Sequence, residues 1–218
     1  MTPSTEREAA RALAHNVSMS QGFDEAGLIR AAQQGKLTAF NRLVVEYQSL
    51  GYNVAYRILG DGEAAADATQ DAFLKAYKAI SQYRGGSFKA WLLRIVTNVC
   101  YDLLRSRQRR PADSLDELLS HPEYAPALIN GREGPEAHAL REELNRTLQA
   151  AIMTLPDDQR TVLVLADVQG MSYQEVAQIT RTSLGTVKSR LSRARAKLRD
   201  ALLQHPELLP RAYRLQNE

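Results

Sequence analysis

Trp91, Arg94, Asn98, Tyr101 and Arg105 recur every three or four residues, the spacing that places side chains on one face of a helix. An indole, an amide, a phenol and two guanidiniums on one stripe suit unpaired nucleic acid. Bases out of the stack lie on aromatic rings while cations follow the phosphates, and each stacking contact contributes about 1–3 kcal/mol. An Asn amide offers a base edge both a donor and an acceptor. A packing role is also open, because a single Trp can complete a small helical core and Tyr101 could do the same. Residue type alone does not decide. The basic continuation Arg105-Ser-Arg-Gln-Arg-Arg110 favours nucleic acid. So does the Gly85-Gly86 loop, which lets backbone approach a strand or an extruded base closely. Tyr83, Arg84 and Ser87 of that loop join the candidate contacts.

A second stretch, SYQEVAQITRTSLGTVKSRLSRARAKL, suits closed duplex. Ser172 and Glu175 have capping-box spacing and open a short helix. A turn at 181–184 leads into a longer helix, giving a helix-turn-helix. Val176, Ala177 and Ile179 face inward on the first helix. Leu184, Val187, Leu191, Ala194 and Leu198 do so on the second. The remaining face is small, polar or basic: Thr186, Lys188, Ser189, Arg190, Ser192, Arg193, Arg195 and Lys197. A merely solvated helix usually alternates acids with bases, and this one carries no acid from Ser183 to Arg199. Such a helix can enter a major groove, its first turns reaching base edges and its cations pairing with phosphates. Ser172, Thr182, Thr186, Lys188, Ser189, Arg190, Arg193 and Arg195 are the candidate duplex contacts.

The elements that position these residues are helical throughout. Leu92, Ile95, Val96, Val99 and Leu103 form the expected inner stripe behind Trp91, with Ser87 as the cap. Helices are also expected over 28–34, 37–59 and 63–80, the last with Phe73, Leu74, Tyr77 and Ile80 on its apolar side. Pro111 stops the Trp91 helix, and Pro122, Pro126, Gly131, Gly134 and Pro135 punctuate the next stretch. Periodicity returns at 136–153 and 157–167, with Pro156 suited to a first helical turn. This reading is all-α: an extension over 1–23, a helical domain over 24–107, a linker over 108–136, a helix-turn-helix domain over 137–203 and a tail over 204–218. The linker carries six acids against one Arg from Pro111 to Glu136, and is expected to be flexible when free.

The net charge of +3 conceals this alternation of basic, acidic and basic segments. A single cysteine, Cys100, excludes a disulfide framework and fits a reducing cytoplasm. No apolar run approaches membrane-spanning length, and the first twenty residues lack the apolar middle of a secretory signal. His15, His121, His138 and His205 are scattered, no phosphate-cradling loop or nucleophile elbow appears, and neither catalytic residues, a metal nor a cofactor is expected.

The stretches DATQDAFLKAYKAISQYRGGSFKAWLLRIVTNVCYDLLR, LPDDQRTVLVL and GMSYQEVAQI…GTVKSRLSRARAKLR, in this order, resemble the extracytoplasmic-function sigma factors of bacterial RNA polymerase, in the sigma-70 family. The resemblance runs from about Leu28 to Ala201. It implies a sigma region 2 whose Asp67, Gln70 and Asp71 dock on core RNA polymerase. It implies that the Trp91 helix and its loop melt and capture the −10 promoter element. It implies a region 4 that reads the −35 element as duplex, and a cytoplasmic anti-sigma factor as inhibitor. Two departures stand out. Glu63-Ala-Ala-Ala-Asp67 has alanines where the family often has acids, and Ser183 stands where Pro is frequent. The alternative is a stand-alone helix-turn-helix regulator, which leaves the Trp-Arg-Asn-Tyr stripe without a purpose.

Overall fold

The structure, a computed structural model, describes residues 23–109 and 135–204, with side chains from 142 onward in the second stretch. The expectations for the extension, most of the linker and the tail lie outside the described residues. Eight α-helices are described and no strand occurs among these residues: α1 Glu25–Gln33, α2 Leu37–Leu59, α3 Gly62–Ala79, α4 Phe88–Arg109, α5 Pro135–Met153, α6 Asp157–Leu163, α7 Tyr173–Thr180 and α8 Leu184–Leu202. The chain divides after Leu43 into two compact units. In the first, Asp24 caps α1 by accepting the Gly27 N–H at 2.9 Å, and Ile29 and Ala32 are buried.

The second unit begins within α2. Asp61 opens α3 by accepting the Ala64 N–H at 2.7 Å. The buried face of α3 is Ala65, Ala68, Thr69, Ala72, Phe73 and Ala76. Small side chains at these positions let α3 lie close along α4, its principal neighbour. This corrects the sequence reading of α3. Leu74 and Tyr77 are 53% and 38% exposed, because the alanines carry the inner face and turn the two larger residues outward.

Helix α4 packs against α3 and also against α7. Its buried set is therefore wider than one stripe: Phe88, Leu92, Leu93, Val96, Thr97, Val99 and Cys100. Leu92, Leu93 and Val96 are fully buried, each contributing about 1.5–3 kcal/mol. Ile95 and Leu103 of the expected stripe are only half-buried. Burial pushes the Cys100 thiol up to about 12, which leaves it unreactive at neutral pH.

After α5, Pro156 stands just before α6 rather than in its first turn. Helix α6 continues as a π-helical turn, Val164–Val168, so 162–166 form an almost unbroken buried run. Gly170 comes next, in the left-handed region (φ 66°). The capping box of α7 is complete: Ser172 Oγ accepts the Glu175 N–H, and the Glu175 carboxylate accepts the Ser172 N–H at 2.9 Å. Helices α5, α6 and α7 gather on α8, whose inward residues are Val187, Leu191 and Ala194. Leu184, expected inside, is 39% exposed at the first position of α8.

Candidate nucleic-acid interface

Gly85 and Gly86 both have positive φ, 96° and 91°, so the loop entering α4 takes a path that side chains beyond glycine resist. Tyr83 is buried beneath it, and its hydroxyl donates to the Gly86 carbonyl at 2.7 Å. Ser87 caps α4, accepting the Ala90 N–H at 3.1 Å as expected. Trp91 stands on an aromatic base: its ring lies 5.4 Å from both Tyr83 and Phe88, and Tyr47 meets Phe88 at 5.3 Å. Edge and tilted contacts of this kind hold an indole in one orientation. Trp91 remains half-buried, Arg94 is exposed and Asn98 is half-buried, so none of the three is sealed in the bundle. Arg84 and Ser87 are exposed beside them.

The lower half of the stripe differs. Tyr101 is half-buried near Thr161 and Arg190 of the C-terminal helices, and burial raises the pKa of its phenol. Arg105 is exposed and lies 3.5 Å from Asp102. Ser87, Trp91, Arg94 and Asn98 thus lie on one face by helical spacing and none is sealed inside, Tyr83 supports Trp91 from below, exposed Arg84 lies in the preceding loop, and Tyr101 is engaged elsewhere. Sequence reasoning missed Phe88, the base plate of Trp91. Its position directly after the cap was the available signal, since a hydrophobic residue there is placed to enter the core.

On the helix-turn-helix, Ser183 caps α8 by accepting the Thr186 N–H at 3.1 Å. Lys188, Ser189 and Arg193 are exposed and Thr186 is half-buried, on the first half of α8. Other candidates are already occupied. Arg190 pairs with Asp158 at 2.8 Å. Arg195 grips Asp167 with two nitrogens, at 2.8 and 2.6 Å, and that bond raises its pKa. Ser172 serves the capping box and Thr182 bonds Thr180 at 3.0 Å, so both shape the motif. Arg181, which the sequence reading left unassigned, ends α7 in the left-handed conformation (φ 53°). Asp67, Gln70 and Asp71 share the exposed face of α3, and Leu74 extends it.

Family models match both halves of the chain: sigma-70 region 2 over residues 43–110 and sigma-70 region 4 over 145–198. The RNA polymerase sigma-H factor of Pseudomonas aeruginosa is 38% identical over 178 residues, covering 80% of this chain and 92% of that relative. The chain belongs to the sigma-70 family. Within it the protein is an extracytoplasmic-function sigma factor, as the ECF sigma-E factor of Escherichia coli K12 also indicates, at 36% identity over 179 residues, 81% of this chain and 93% of the relative. Among solved structures, the sigma factor RpoE in complex with the anti-sigma factor NepR from Bartonella quintana matches with a TM-score of 0.60 and 27% identity, over 75% of this chain and 96% of that one. CnrH, in complex with the cytosolic domain of CnrY, matches with a TM-score of 0.57 and 29% identity, over 82% and 96%. These likenesses span both halves, so the sigma factor directs RNA polymerase to promoters, and the stand-alone regulator is not favoured. Among the described residues no helix is long and apolar enough to cross a membrane.

Proposed function

We propose that this sigma factor opens promoters by dividing the DNA between its two ends. The exposed start of α8, with Lys188, Ser189 and Arg193 beside Thr186, enters the −35 major groove. Arg190 and Arg195 exchange their carboxylate partners for phosphates there, while Ser172 and Thr182 hold the motif in shape. Trp91, Arg94 and Asn98, with Arg84 and Ser87 at the loop, receive unpaired bases of the −10 element. Tyr101 and Arg105 extend that path down α4.

Opening costs about 1.4 kcal/mol per base-pair step on average. A stacked base returns about 1–3 kcal/mol, so a few captured bases offset several steps. The observation that carries this reading is the aromatic base under Trp91. It fixes a half-exposed indole beside an exposed arginine and an accessible amide, at the end of a glycine loop.

Asp67, Gln70 and Asp71 dock on core polymerase, with Asp67 and Asp71 bearing the charge that the alanines ahead of Asp67 do not supply. The chain contributes no catalytic group of its own; the polymerase makes the bonds. It works in the cytoplasm across the functional segments 24–107, 108–136 and 137–203, and is held in check by an anti-sigma factor. The solved relatives bound to an anti-sigma factor and to a cytosolic domain support the last point. The test is to mix purified chain with core polymerase on genomic DNA from its source and map the transcript starts. A discrete set of starts absent with core alone is expected. Starts identical to those of core alone would overturn the proposal.

A further inference from the structure

The polar surface of α8 has a second flank beside the residues assigned to base edges. Lys188, Ser192, Arg195 and Arg199 follow one another at helical spacing, and with Tyr173 of α7 they line a groove of about 550 Å³. One arginine of this flank is held from outside the helix-turn-helix. Asp167 lies in the π-helical turn Val164–Val168 that ends α6, and it accepts from Arg195 Nε at 2.8 Å and from Nη2 at 2.6 Å. That is the two-pronged geometry in which a guanidinium also takes a phosphate. Helix stability does not account for this acid, because the dipole at the C-terminal end of a helix disfavours negative charge. Asp158, the partner of Arg190, differs: it stands in the first turn of α6, where the dipole favours an acid by itself. Nor is stability the main return from the Asp167 bridge. The two side chains are 33% and 51% exposed, and exposed pairs contribute little. Among the described residues Lys188 and Arg193 have no ion-pair partner, so carboxylates answer only particular cations of α8.

We propose that Asp167 sets the DNA specificity of the helix-turn-helix: its carboxylate takes the place of a DNA phosphate on Arg195 and so withholds that cation from unmatched duplex. This rests on the −35 reading proposed above. Sequence-independent affinity comes from cations that neutralise phosphates and release counterions. A guanidinium already bound to a carboxylate gains little by exchanging it for a phosphate, since one charged fork replaces another. On random sequence Arg195 therefore adds almost nothing, and Lys188 and Arg193 carry the contacts. At a matched element, base-edge contacts at the start of α8 draw the helix into the groove and set its flank against the strand. That fit drives the exchange, so the Arg195 contact counts only where the bases match. Without the carboxylate Arg195 meets any phosphate, and random duplex competes better with promoters. A factor that searches a genome depends on this ratio more than on affinity alone.

Asp167→Asn tests this in the full chain, by fluorescence anisotropy on a labelled duplex of random sequence from about 50 to 200 mM salt. One released cation should steepen the salt slope by about 0.9 and raise affinity at the low-salt end by roughly three- to tenfold. Asp167→Glu keeps the charge and should bind as the wild type does. Asp167→Asn combined with Arg195→Ala should lose the gain. With core polymerase on genomic template, random duplex should inhibit the discrete starts at roughly threefold lower concentration for the Asn variant. A bridge that only braces α8 predicts otherwise: the variant would melt earlier and bind random duplex no better. A random-duplex affinity that stays or falls overturns the proposal and leaves the sigma reading intact, as does unchanged competition in the polymerase assay. Failure of the wild type to direct any start would instead remove the sigma reading. Circular dichroism checks that the variant is folded, and Asp167→Ser gives the same readout if the Asn variant unfolds.

Discussion

Replacing Arg160 with Met keeps length and helix propensity but removes the charge and all of its donors. The guanidinium donates to three carbonyls, those of Ile58 at 2.6 Å, Leu155 at 2.9 Å and Met153 at 3.1 Å, and lies 3.5 Å from Asp157. Burial lowers its pKa, yet an arginine stays charged at any ordinary pH. Each carbonyl left without a partner costs about 1–3 kcal/mol when buried, and part of that is regained because no charge need be desolvated. The net loss comes to about 3–5 kcal/mol, a large share of the roughly 5–15 kcal/mol that holds a domain together. At about 2–4 °C per kcal/mol for a chain of this size, the midpoint of thermal unfolding should fall by about 10 °C. Calorimetry on purified wild type and variant measures it. Arg160→Lys should fall in between, since one ammonium cannot reach all three carbonyls. A loss below about 1 kcal/mol for the Met variant would refute the reasoning.

The Ser172 N–H and O–H bonds hold the Glu175 carboxyl below the usual glutamate range, so its contribution to stability is present at neutral pH and is lost as pH falls from the ordinary glutamate range through the lowered value. Thermal melts from pH 7 to 3 should show a steeper acid decline in wild type than in Glu175→Gln, and parallel curves would contradict the assignment. Asp67→Lys with Asp71→Lys should weaken binding to core polymerase by about tenfold or more with the melting curve unchanged, because both side chains are exposed. Unaltered competition against wild type would count against that face. Arg193→Ala should lower the salt slope of −35 duplex binding by about one, and a slope that stays put would remove Arg193 from the phosphate contacts.

Much of the fold was legible because helices announce themselves by period and cap. Ser87, Ser172 and Glu175 cap where the sequence places them. The open Trp91–Arg94–Asn98 face was legible for a similar reason: its spacing fixed the face, and only its exposure was left to be seen. What the sequence hid was partnership. Nothing in the spacing of Leu74 and Tyr77 shows that alanines would carry the inner face of α3. Nothing local to Tyr101 shows that Thr161, sixty residues on, would lie beside it. Arg190 and Arg195 read as free cations, and their acids, Asp158 and Asp167, come from a different helix and its π-turn. Arg160 gave one signal, a lone cation leading into the apolar run Val162–Ala166. A charge beside such a run must be answered by buried acceptors, although which acceptors only the packing reveals.

The central claim is that α4 captures bases through a ring held ready by Tyr83 and Phe88. The most direct measurement is permanganate reactivity of unpaired thymines on a mapped promoter, with core polymerase and either wild type or Trp91→Ala. The account predicts that the variant still occupies closed promoter, and that its ratio of opened to closed promoter falls by roughly 5- to 150-fold, the loss of one stacking contact of about 1–3 kcal/mol. A variant that opens the promoter as fully as wild type would contradict it.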